Sequence, residues 1–119
     1  VLLPTLDDVL LRQLGELARA RDDELTWLLM SSLAADAARR ARWSAALARY
    51  ALAARPGNAD VLRKWLGRWS PRADAAARGL AELMETLPEH GRPASQVADE
   101  AAAARRDLLA AAGLDTVAA

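Results

Sequence analysis

Between Asp23 and Pro56 the chain runs for about thirty residues without a glycine or a proline. A helix of that length is roughly 45 Å long, too long for most small globular domains and ordinary in a large bundle. Within it, Leu29, Leu33, Asp36, Arg40, Trp43, Leu47 and Tyr50 recur at steps that alternate between four and three. That is the spacing of one buried helix face. The pattern therefore predicts an acid and a base where aliphatic side chains belong. Asp36 and Arg40 are one turn apart, so they are expected to pair on that face. A buried charge that loses its partner costs about 3–5 kcal/mol, which makes a structural ion pair the plain expectation. The sharper expectation is a remnant or variant of a site inside a helical bundle.

The flanks read as helices too. Thr5 is positioned to cap a first helix over residues 6–20, with Leu6, Leu10, Leu14 and Leu17 as its apolar stripe. Asp22 or Asp23 caps the long second helix, which runs to about Ala53 and stops at Arg55-Pro56-Gly57-Asn58. Asn58 is the expected cap of a third helix lined by Val61, Leu62, Trp65, Leu66 and Trp69. Ser70-Pro71 predicts a kink or a fresh start, with Ala73, Ala76, Ala77, Leu80, Leu83 and Met84 facing inward beyond it. Pro88, Gly91 and Pro93 mark a loop, and Ser95 caps a last helix that ends at Gly113. Leu114 is expected to pack back, and the remaining tail to fray. With 30 alanines in 119 residues and no isoleucine, nothing reads as a strand. The expected fold class is all-α, a single helical segment over 1–119. The chain opens at Val1 without a start methionine or a cap, which reads as a fragment of a longer polypeptide.

Composition removes several function classes. Sixteen bases balance sixteen acids, so no overall field steers the chain to nucleic acid or to an anionic membrane. No apolar run approaches the ~20 residues of a membrane span, and no signal peptide opens the chain. The absence of cysteine excludes disulfides, thiolate metal sites and a cysteine nucleophile, and it suits a bacterial cytosol.

Catalytic constellations are equally scarce. A carboxylate-bridged di-iron site needs Glu-x-x-His on two helices. The chain has one histidine, His90, in the loop, where a surface position is the expectation. The serines lack a Gly-x-Ser-x-Gly elbow, and Gly57, Gly67 and Gly79 stand isolated rather than in a phosphate loop. Arg63, Lys64, Arg68 and Arg72 lie near Trp65 and Trp69, yet the tryptophans share the apolar face of their helix, so core or interface anchors are expected. Four tryptophans without a phenylalanine, together with fifteen arginines, favour an obligate subunit, since Trp and Arg dominate protein interfaces.

Several blocks then carry a resemblance: Asp36-Ala-Ala-Arg-Arg-Ala-Arg-Trp43-Ser-Ala-Ala-Leu47, Gly57-Asn58-Ala-Asp-Val-Leu62-Arg-Lys-Trp65-Leu-Gly-Arg-Trp69, Pro71-Arg-Ala-Asp74-Ala, and Arg105-Arg-Asp-Leu-Leu-Ala-Ala-Ala-Gly113-Leu114. In this order they resemble the C-terminal part of the β subunit of bacterial multicomponent monooxygenase hydroxylases, which act on toluene, phenol, alkenes and methane. The resemblance implies a ferritin-like long-helix bundle and a hydroxylase of two αβγ protomers. It implies a di-iron centre in the α subunit and no cofactor in this chain. The α subunit's iron motif looks like Asp-Glu-x-Arg-His. Laid on Asp36-Ala37-Ala38-Arg39-Arg40, it puts Ala37 and Arg40 at the ligand places and keeps Asp36 and Arg39 as outer residues. The family often has histidine where Arg40 stands.

The resulting expectation is a non-catalytic structural subunit of a soluble hydroxylase that uses dioxygen and NADH-derived electrons to hydroxylate or epoxidise hydrocarbons. Asp36 with Arg39 or Arg40 would be an ion-paired brace, and Trp43, Trp65 and Trp69 would be packing or interface anchors. The partners would be the α and γ subunits, together with the regulatory protein and reductase, in the cytoplasm, with neither nucleic acid nor membrane. The alternative is the helical ligand-binding and dimerisation domain of a bacterial transcriptional regulator.

Overall fold

In the computed structural model, residues 2–114 are described. They form α1 (Leu2–Ala20), α2 (Glu24–Ala54), α3 (Asn58–Glu85) and α4 (Ala94–Ala111). Among the described residues there is no strand, and the fold is an all-α bundle of elongated shape, 50 × 27 × 15 Å. Val1 and the tail expected to fray lie outside the described residues.

Each turn has a local cause. Asp23 caps α2: its carboxylate accepts the Thr26 backbone N–H at 3.0 Å and the Thr26 hydroxyl at 2.6 Å. Those bonds, the hydroxyl first, hold the Asp23 carboxyl below the usual carboxylate range. Asp22 takes the left-handed turn position at φ 55°, which aspartate tolerates. Gly113 takes φ 76° past α4, the usual glycine helix stop, and Leu114 folds back to 4% exposure.

Four boundaries differ from expectation. α1 begins at Leu2, because Pro4 is harmless in a first turn whose N–H groups have no partner anyway; Thr5 is therefore a buried helical residue and not a cap. Asn58 does not cap α3; its side-chain amide donates instead to the Ala51 carbonyl at 2.9 Å and ties α3 to the end of α2. α3 runs through Pro71 as one helix, so the fresh start that Ser70-Pro71 allowed does not occur. Ser95 is not used as a cap, since the Glu85 carboxylate accepts the Ala94 N–H at 3.1 Å.

α1 packs against all three other helices. The core has two parts. One joins Val9 to Ala77, Ala81, Ala94, Val97 and Ala101, where small residues let α1, α3 and α4 approach closely. The other joins Ala45 of α2 to Leu66, Ala112 and Leu114, with Leu52, Leu62, Leu108 and Leu109 around it. On α3 the inward set is Ala73, Ala77, Ala81 and Met84, whereas Ala76 and Leu83 face outward. On α1 the inward line runs Thr5, Val9, Gln13 and Leu17, and Leu10 is turned to the surface.

Candidate subunit interface

The long helix has its faces the other way round from the expectation. Leu29, Leu33, Trp43, Leu47 and Tyr50 are all exposed, Trp43 by 66% and Tyr50 by 73%. Turned toward α1, α3 and α4 is the opposite side, Ala34, Ala37, Ala41, Ala45, Ala48 and Leu52, all at least partly buried. The physical reason is helix spacing. Alanines permit close contact, and α1 meets this face with Gly15, where a Cβ would lie 3.5 Å from the Met30 Cβ. Leucines and tryptophan at that contact would hold the helices apart.

The predicted pair between Asp36 and Arg40 does not form. Asp36 instead accepts a bond from Arg39, three residues on, with both side chains more than half exposed. Such a pair is worth at most ~1 kcal/mol and joins nothing beyond its own helix. Arg40 reaches across to Asp7 of α1, so the bond between helices is made by Arg40 and not by Asp36. These positions do not fit an iron ion. Ala37 has no donor atom, and the Arg40 guanidinium is a permanent cation without a lone pair. Arg42 and Arg49, seven residues apart, lie on a separate exposed flank of α2, away from the stripe, and neither has an ion pair among the described residues.

A second apolar surface lies on α3. Trp65 is 52% exposed and Trp69 stands beside it; with Leu2, Leu62, Leu66 and Leu114 they line an apolar cleft of 430 Å3. The Arg68 guanidinium lies 5.8 Å and 5.9 Å from the two rings, and Arg72 lies 4.9 Å from Trp69. Stacked cations hold the rings in place while keeping charge at the rim. Trp27, in contrast, is half-buried under Arg19 at 4.9 Å, at the turn between α1 and α2.

A polar cluster fastens the loop between α3 and α4 onto α1, and the composition of the chain gave no hint of it. His90 is half-buried rather than on the surface; its Nε2 lies 2.8 Å from Oε1 of Gln13, which is fully buried. Arg21 donates to Glu89 at 2.9 Å and to the Pro88 carbonyl at 3.0 Å. Arg12 and Arg92 both bond Glu100 on α4. The Arg12 bond above all holds the Glu100 carboxyl down at about 2. The available signal was the pairing of a lone glutamine on an apolar stripe with a lone loop histidine.

The family comparisons agree with the earlier resemblance. A family model described as methane/phenol/alkene hydroxylase matches residues 1–55. The β subunit of the hydroxylase component of the toluene-4-monooxygenase system of Ectopseudomonas mendocina is 34% identical over 86 residues, which cover 72% of this chain and 26% of that protein. The chain thus spans about a quarter of the length of that curated relative. No solved structure matches at a significant level. An all-α bundle of long helices, large apolar residues turned outward and a matching β subunit lead to one assignment: the chain belongs to the methane/phenol/alkene hydroxylase family and is of the β-subunit type found in monooxygenase hydroxylases.

Proposed function

We propose that this chain is a structural part of a hydroxylase complex, of the β type, and that it does no chemistry of its own. The relative supports membership of a multicomponent system, being named as a subunit of its hydroxylase component. The observation that carries the structural role is the outward stripe on α2: a folded helix that leaves Trp43, Leu47 and Tyr50 in water is built for a neighbour. Obligate interfaces resemble a domain core cut in half, which this face does.

On this reading the ferritin-like bundle is completed by further helices. The oxygen chemistry belongs to a di-iron centre in a partner α subunit, which uses NADH-derived electrons to hydroxylate or epoxidise a hydrocarbon. A γ subunit completes the protomer, and the regulatory protein and reductase dock on the assembly, all in the cytoplasm. No helix among the described residues is long and apolar enough to cross a membrane. Family membership does not favour the transcriptional-regulator alternative. Co-expression with the neighbouring hydroxylase genes, followed by an iron assay of each separated chain, tests the proposal. The expected result is co-purification at equal stoichiometry, with iron in the α chain and none here. Iron at one or two ions per molecule of this chain would overturn it.

A further inference from the structure

The chain enters the described structure at Leu2 and leaves it at Leu114, and both residues wall the apolar cleft on α3. We infer that residues 115–119, Asp-Thr-Val-Ala-Ala, cover this cleft as a strap, with Val117 on the Trp65 and Trp69 rings and the Asp115 carboxylate beside Arg68 and Arg72. The strap makes the cleft part of the chain's own closure rather than a surface kept for another protein. It does not depend on the reading of the chain as a hydroxylase subunit.

Three observations carry the inference. The cleft lacks a cover: every lining residue is a leucine or a tryptophan, yet Trp65 stays 52% exposed and Trp69 36%. The reach is sufficient. Leu114 packs with Leu66 in one part of the core, so the next residue starts at the wall of the cleft. Three extended residues span about 10 Å, whereas Trp65 and Trp69 stand one turn apart, about 6 Å along α3. A segment tethered at the wall meets the cleft at an effective concentration on the order of millimolar, so a weak contact is enough to hold it. The chemistry is complementary. Arg68 and Arg72 lie against the same two rings, and neither has an ion pair among the described residues. Residues 115–119 carry one acid, Asp115, no base, and one larger apolar side chain, Val117.

The other occupants fit less well. A second copy of this chain on a twofold axis would bring Arg68 and Arg72 up to the same two cations. A free apolar molecule would fill the cleft but bring no acid to them.

The test uses the full-length polypeptide with the subunits that purify with it, and reads each tryptophan separately by hydroxyl-radical oxidation and mass spectrometry. Deleting residues 115–119 is expected to raise oxidation of Trp65 and Trp69 about threefold and to leave Trp43 unchanged. Val117→Asp should act like the deletion. Asp115→Asn should give a smaller rise, about 1.5-fold at low salt, that vanishes near 1 M salt. A second measurement uses trapping, since the 119 residues contain no cysteine. Leu62→Cys with Val117→Cys should form a disulfide on mild oxidation. Leu83→Cys with Val117→Cys should form it at least about tenfold less, because Leu83 lies about 31 Å farther along α3. Unchanged oxidation of Trp65 and Trp69 after the deletion, or equal trapping by the two cysteine pairs, sinks the inference. If the deletion acts and Val117→Asp does not, Val117 is not the anchor and the strap as described is wrong. Protection that survives the deletion and rises with protein concentration assigns the cleft to a second copy. Protection that survives the deletion and disappears when the other subunits are removed assigns it to one of them.

Discussion

The two faces of α2 carry opposite residues for opposite reasons. The inward face is a line of alanines, small enough for α1 to approach at Gly15. The outward face carries leucines, a tryptophan and a tyrosine that this chain leaves in water. The comparison separates two meanings of hydrophobic periodicity. In a lone domain the largest residues seek the core. In a subunit, the closest packing within the chain falls to small residues, and the large ones are left for the neighbour.

The contrast can be broken first at Ala45, which is 4% exposed. Ala45→Glu buries an unpaired carboxylate and should destabilise the chain by about 3 kcal/mol or more, read by denaturant titration. Val97, fully buried among alanines, should lose about 2 kcal/mol on Val97→Ala, since a core already made of small residues has little left to fill a void. Acid sharpens the picture at the polar cluster. The folded Glu100 carboxyl lies at about 2, below its ordinary 4.5, so its contribution is complete above that ordinary value and disappears as pH falls toward 2. Melting curves from pH 5 to 2 should therefore fall more steeply for wild type than for Glu100→Gln. At Gly15 a Cβ meets Met30 in ordinary contact, so Gly15→Ala should stabilise α1 by about 0.5–1 kcal/mol; a loss instead would mean that the two helices sit closer than described. The smallest effect belongs to the outward face. Leu47→Glu should change the stability of the chain alone by no more than about 0.5 kcal/mol.

Much of the fold was legible from local chemistry. The breaker cluster at 55–58, the Asp23 cap and the Gly113 stop fell where turn and cap physics puts them. The orientation of α2 was not, and the cause is specific. Its large residues and its alanines are both periodic, and periodicity alone cannot say which set faces the core. The clue lay in the two charges within the large-residue stripe. Asp36 and Arg40 read as an unusual buried pair, when charges on a helix face are more often a sign of water. Caps were misread at Asn58 and Ser95 because tertiary partners, the Ala51 carbonyl and the Glu85 carboxylate, outbid the local ones. The polar cluster around Gln13 joins residues more than seventy positions apart, a distance over which local pattern carries no information.

Pro71 inside α3 has a kinetic consequence. A proline in a helix interior supplies no N–H, so the Gly67 carbonyl loses its donor; Gly67 is exposed, and water can take its place. The weak link falls between Leu66, which belongs to one half of the core, and Ala73, Ala77 and Ala81, which pack with the other helices farther along. The two parts of the core therefore meet α3 on either side of Pro71, and an opening of one without the other would bend the helix there. Hydrogen exchange should show two protection levels along α3, meeting near residue 71. Such a joint would let the half that holds the end of α2 shift against a neighbour while the other half stays closed.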